Sequence, residues 1–125
     1  MAKRILVIED NEDVRENIVE ILELDGYDVL NAPHGKAGVE MALEHLPDII
    51  LCDIMMPELD GFGVLKILNR NAKTHHIPFI FLTAKAEKAD FIPFLVIENQ
   101  EPVSLVDVAL QAAADGPVDY FGQAG

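Results

Sequence analysis

The sequence predicts an α/β fold, a doubly wound parallel sheet with strand order 2-1-3-4-5. Three observations carry that expectation. Ile5-Leu6-Val7-Ile8 and Ile49-Ile50-Leu51-Cys52 are continuous apolar runs of strand length, as strands covered on both faces should be. The stretches between them repeat apolar residues at helical spacing instead of alternating. Predicted strands end in acids or a hydroxyl: Glu9-Asp10, Asp53 and Thr83. Alternating strands and helices imply βαβ units. Right-handed crossovers then bring every strand C-terminus to one side of the sheet.

Each element has its own signal. Ile5-Leu6-Val7-Ile8 is the first strand, and Asn11-Glu12-Asp13 opens a helix whose early acids complement its dipole. Val14, Ile18, Ile21 and Leu22 give that helix an apolar face, and Gly26 stops it. Residues 27–32 form a less apolar strand, nearer an edge. Pro33-His34-Gly35 turns into a second helix over 37–46, with Ala37, Met41, Ala42 and His45 close together on its surface. Pro47-Asp48 breaks it before the central strand. Asp60 or Gly61 starts a third helix, with Phe62, Leu65 and Leu68 spaced three apart. Residues 69–74 make a polar turn. Residues 77–82 form a fourth strand, with Pro78 tolerated only at its start or at an edge. Residues 94–97 are the expected fifth strand. Ser104-Leu105-Val106-Asp107 resembles a capping box opening a last helix that Gly116-Pro117 ends.

The totals bound the function. At 125 residues, half of them hydrophobic and a quarter charged, one globular domain over 1–125 is expected. A net charge of −13 argues against nucleic acid as a direct partner, which needs clustered Lys and Arg, and disfavours an anionic membrane surface. No apolar run approaches the ~18 residues of a membrane span. The first apolar run stops at Glu9, too early for a signal-peptide core, so a cytoplasmic location is expected. The single cysteine, Cys52, excludes an internal disulfide and reads as a buried, inert thiol.

Three strand ends carry the polar chemistry. Ligands of open α/β sheets bind at the carboxyl ends of strands, and strands 1, 3 and 4 are neighbours in the expected order. Carboxylates gathered there repel and need a cation or protons. An all-oxygen set favours a hard metal, and Mg²⁺ suits a few carboxylates, waters and a phosphate oxygen. A carboxylate is also a competent nucleophile, forming an aspartyl phosphate. Asp53 is the candidate nucleophile, and Thr83 a hydrogen-bond donor to the incoming phosphoryl oxygens. Taken singly, each has a plain structural reading: a solvated helix start for Glu9-Asp10, a turn for Asp53, a cap for Thr83. Met55-Met56 reads as loop packing, and His75-His76 alone make a poor metal site.

Taken together, Ile5-Leu6-Val7-Ile8-Glu9-Asp10-Asn11, Asp53-Ile54-Met55-Met56-Pro57-Glu58-Leu59-Asp60-Gly61 and Pro78-Phe79-Ile80-Phe81-Leu82-Thr83-Ala84-Lys85 resemble a response-regulator receiver domain over about residues 3–90. The resemblance implies a flavodoxin-like fold of five βα units. Asp53 resembles the phosphate-accepting aspartate. Glu9 and Asp10 match the acidic pair that holds Mg²⁺, with Asp10 the direct ligand and Glu9 acting largely through water. Met55 would lend its backbone carbonyl to the metal. Thr83 matches the switch hydroxyl, and Ala84 the small residue after it. The implied partners are a histidine kinase as phosphodonor and an output protein. No enzyme activity beyond the domain's own phosphorylation and dephosphorylation is implied.

The resemblance departs after Asp90. The family expects a strand ending in Lys-Pro, yet no lysine follows Lys88, and the nearest analogue is Glu101-Pro102. None of the nine basic residues lies in 91–125, against five acids there. A natural degenerate receiver, a recombined or engineered chimera joined near residue 90, and a corrupted reading of the gene all fit that break. The abrupt loss of basic residues favours the junction. A tail that fails to complete the sheet also invites a homodimer or a domain swap. The rival function is a receiver-fold scaffold or binding module without phosphotransfer. An aspartate-nucleophile phosphohydrolase is disfavoured, because the position two residues after Asp53 is Met55 instead of an acid. A flavodoxin-like cofactor binder lacks its phosphate loop after Ile8.

Overall fold

In the computed structural model, residues 2–82 and the paired segments Phe94–Leu95 and Val103–Ser104 are described. The elements are β1 (Arg4–Ile8), α1 (Glu12–Leu24), β2 (Asp28–Ala32), α2 (Gly35–His45), β3 (Ile49–Asp53), α3 (Gly61–Asn69), β4 (Phe79–Leu82), β5 (Phe94–Leu95) and β6 (Val103–Ser104). Four strands form a parallel sheet in the order β2-β1-β3-β4. This is the flavodoxin-like order expected from the sequence, as far as β4.

Strand alternation sorts the core into two layers. Ile5, Val7, Ile49, Leu51, Ile80 and Leu82 face Val14, Ile18 and Leu22 of α1. Leu6, Ile8, Ile50, Cys52, Phe79 and Phe81 face the other way, against Ala42 of α2 and Val64 and Leu68 of α3. All five residues of β3 are buried, whereas β2 buries only Ala32, so β2 is the edge. Pro78 lies just before β4, where its missing N–H costs no ladder bond and its carbonyl accepts from the Ile50 amide at 2.9 Å. Asn11 caps α1 by accepting from the Val14 amide, and Gly26, at φ +95°, turns the chain into β2. Among the described residues no helix is long and apolar enough to cross a membrane.

Several local expectations change. α2 starts two residues early because the His34 imidazole caps it, Nδ1 accepting from the Ala37 amide at 3.2 Å. Its fully buried positions are Gly35, Gly38 and Ala42, while His45 stays exposed. α3 buries Gly61, Val64 and Leu68, leaving Phe62 half-exposed. Of the methionine pair, Met56 packs in the core and Met55 is exposed. The expected fifth strand is present at Phe94–Leu95, but it pairs antiparallel with Val103–Ser104 in a separate two-stranded sheet. The link of residues 83–93 is shorter than the crossovers from β1 to β2, β2 to β3 and β3 to β4, and an antiparallel pair needs only a loop. Ser104, expected as a cap, is thus a strand residue. The rest of the expected last helix lies outside the described residues.

Candidate acidic metal and phosphoryl site

The site lies where the sheet's winding reverses. From β1 the chain passes through α1 to β2 on one side, then through α2 to β3 on the other. The crevice between β1 and β3, beyond their C-terminal ends, is the topological switch point. In register Ile8 pairs with Cys52, so the next residues along, Glu9 just past β1 and Asp53 at the end of β3, lie side by side. By strand alternation both belong to the face that α1 covers.

Glu9, Asp10 and Asp53 each bring a carboxylate oxygen to within 4.8 Å of the others. Glu9 is fully buried, Asp53 is 1% exposed and Asp10 is exposed. The Glu9 amide donates to the Ala32 carbonyl at 3.2 Å, extending the β1–β2 ladder by one rung. Its Oε2 accepts from the Asn11 amide at 2.9 Å, which ties the carboxylate to the start of α1. Negative charges this close in a buried place repel, which a cation between them offsets. The donor set is three carboxylates with no nitrogen or sulfur. It fits a small hard divalent cation, as the sequence suggested. Among the described residues no other such group occurs, and His75 and His76 sit exposed with ring centroids 5.7 Å apart.

The loop after β3 is folded back to hold Asp53. The Gly61 amide donates to the Ile54 carbonyl at 2.9 Å, and the Leu59 amide to the Pro57 carbonyl at 2.8 Å. Glu58 takes a left-handed conformation at φ 67° inside this loop. Asp60 then caps α3, accepting from the Gly63 amide at 2.8 Å. Gly61 is required by close approach: a Cβ there would lie 2.5 Å from the Asp53 carbonyl oxygen and 2.9 Å from the Ile54 Cα. Beneath the site the Cys52 thiol donates to the Asp53 carbonyl at 3.3 Å. Burial, then the charges of Asp53, Glu9 and Asp60, push that thiol far above its ordinary range and keep it neutral.

The structure therefore brings together Glu9, Asp10 and Asp53. Met55, two residues beyond Asp53, has an exposed side chain on the loop. Thr83 and Ala84 lie outside the described residues; Leu82, which precedes Thr83, is the register partner of Asp53. Sequence reasoning missed Arg15, whose guanidinium reaches the Glu9 carbonyl at 2.9 Å. The available signal was its place: a cation in a first helical turn, where the dipole disfavours it.

Known proteins share this architecture. The family model for the response regulator receiver domain matches residues 5–115. The polar-differentiation response regulator DivK of Brucella anthropi is 38% identical over 90 residues, 72% of this chain and 73% of that protein. The N-terminal domain of a response regulator receiver protein from Methanoculleus marisnigri superposes with a TM-score of 0.65 at 34% identity, covering 68% of this chain and 69% of that one. The receiver domain of sensor histidine kinase PA1611 from Pseudomonas aeruginosa, solved with a magnesium ion coordinated in its active-site cleft, gives 0.70 at 24% identity over 91% and 99% of the two chains. That last likeness speaks for the fold. With the family matched over most of its length and the acidic group at the switch point of the sheet, this chain belongs to the response regulator receiver domain family.

Proposed function

We propose that this chain is a single receiver-like domain that accepts a phosphoryl group on Asp53 from a partner histidine kinase, with Mg²⁺ held by the acidic group. Receiver domains as a family take phosphate from histidine kinases and signal to output partners. The observation that carries the reading here is the gathering of Glu9, Asp10 and Asp53 within 4.8 Å. Asp10, Asp53 and the Met55 carbonyl would hold the cation, with Glu9 acting largely through water. When bound, Mg²⁺ supplies positive charge against the phosphoryl oxygens. The Asp53 carboxylate attacks phosphorus, the bond from phosphorus to the kinase imidazole breaks, and the departing nitrogen keeps the electron pair. The Thr83 hydroxyl would donate a hydrogen bond to a phosphoryl oxygen, with Ala84 the small residue after it in the phosphoryl-binding segment. The compartment this reading implies is the cytoplasm.

Intact mass after incubation with a small-molecule phosphodonor, with and without Mg²⁺, tests the reading. A Mg²⁺-dependent gain of one phosphoryl group, lost in Asp53→Asn, is expected. A folded protein that gains nothing supports the second reading, a receiver-fold binding module without phosphotransfer. The observation favouring that alternative is the absence of any lysine after Lys88 to pair with the phosphoryl group.

A further inference from the structure

Arg15 is the single basic residue of α1, against five acids in the same helix. It stands in the first turns, where the dipole disfavours a cation, so an interaction must offset that placement. Its side chain makes two bonds off the helix. Nη1 donates to the Glu9 carbonyl at 2.9 Å, and Nε donates to the Asn31 side-chain oxygen of β2 at 3.2 Å. The Glu9 carbonyl belongs to the peptide that joins Glu9 to Asp10. On the other side of Glu9, its amide is held by the Ala32 carbonyl at 3.2 Å. The guanidinium fork thus spans from the edge strand to the peptide carrying two of the three carboxylates.

We infer that Arg15 is a positioning residue for the acidic group, fixing the Glu9–Asp10 peptide so that the exposed Asp10 carboxylate is preset beside Glu9 and Asp53. The inference rests on the Mg²⁺ reading above. A planar guanidinium suits the task, since two of its N–H groups reach two acceptors in a rigid fork. The effect on cation binding distinguishes a clamp from a counter-charge. A counter-charge competes with Mg²⁺, and its removal tightens binding. A clamp lowers the ordering cost of the ligands, and its removal loosens binding.

Calorimetric titration of the full chain with MgCl₂ decides, beside urea midpoints that verify folding. Arg15→Ala is expected to weaken Mg²⁺ binding by about tenfold, the usual scale for residues that orient ligands. Arg15→Lys retains a cationic donor in reach of the carbonyl and should recover binding to within about threefold, the worth of roughly one hydrogen bond. Asn31→Ala releases only Nε and should cost about twofold to threefold. Unchanged or tighter binding in Arg15→Ala, or no recovery in Arg15→Lys, overturns the inference while leaving the Mg²⁺ reading intact. A wild-type chain that binds no Mg²⁺ overturns both. If Arg15→Ala does not fold, unchanged binding in Asn31→Ala overturns it.

Discussion

Replacing Asp53 by Asn removes one of two carboxylates buried side by side, so the cation-free protein should gain stability. Asn keeps the shape, and its amide can donate to a neighbouring oxygen. The Glu9 and Asp53 oxygens lie within 4.8 Å, which at an effective dielectric near 20 amounts to about 3.5 kcal/mol of repulsion relieved. With a urea slope of about 2 kcal/mol per molar, the midpoint should rise by about 1.5 to 2 M. The assay is equilibrium unfolding in urea with a strong chelator present, then again with excess Mg²⁺. Binding to the folded state alone stabilises by about 2.7 kcal/mol at one hundred times the dissociation constant. The wild type should take up that stabilisation and the variant much less of it, so the gap narrows or inverts with Mg²⁺. An unchanged or lowered midpoint in chelator would refute the reasoning, because the repulsion would not then outweigh the contacts that the Asp53 carboxylate makes. Equal Mg²⁺ stabilisation of both proteins would remove Asp53 from the cation site.

Two further outcomes bear on the same end of the sheet. Gly61→Ala must push its methyl against the Asp53 carbonyl and the Ile54 Cα, both backbone, so a loss of about 2 to 3 kcal/mol in thermal or urea unfolding is expected, with weaker Mg²⁺ binding as Asp53 shifts. The buried Cys52 thiol, raised above its ordinary range, should react with a thiol reagent only at the rate of unfolding. Above pH ~8.5 the unfolded chain loses this proton and the folded chain does not, so stability present below that pH falls by about 1.4 kcal/mol per pH unit, a slope that Cys52→Ala should lack.

The parts of the fold legible in the sequence are those set by local pattern. Apolar runs at 5–8 and 49–52 admit few structures other than buried parallel strands, and an acid directly after such a run has to emerge at the strand's end. Glu9 and Asp53 could therefore be paired from the sequence, although they stand at the ends of strands joined through two helices. What failed was set by geometry around a helix or by distant partners. Phe62, Leu65 and Leu68 look like a face, but steps of three drift around a helix of 3.6 residues per turn. The true face, Gly61, Val64 and Leu68, mixes steps of three and four, and its first member is a glycine buried for the sake of Asp53. His34 is an unusual cap residue, so sequence pattern alone places the start of α2 late. Arg15 looks like one more solvated charge until β2 brings Asn31 beside it.

On the proposed reading, metal binding and phosphoryl transfer would draw on different parts of this chain, so the two functional readings are separable. A cation would need only Glu9, Asp10, Asp53 and the loop that Gly61 closes, all within the first 61 residues. Holding a phosphoryl group would add charge to a place that already contains three carboxylates, and what Mg²⁺ does not neutralise would fall to residues from Thr83 onward. No lysine follows Lys88, and in the sequence Glu101-Pro102 reads as the nearest counterpart of the family's Lys-Pro. On that reading an anion in place of a cation would oppose the added charge, whereas Mg²⁺ affinity at the strand ends would be little affected or improved. Mg²⁺ stabilisation together with a mass gain on Asp53 would show that metal and hydroxyl suffice without the lysine. Mg²⁺ stabilisation without a mass gain would show that the lysine's charge is the requirement, and restoring it by Glu101→Lys should then raise the extent of phosphorylation.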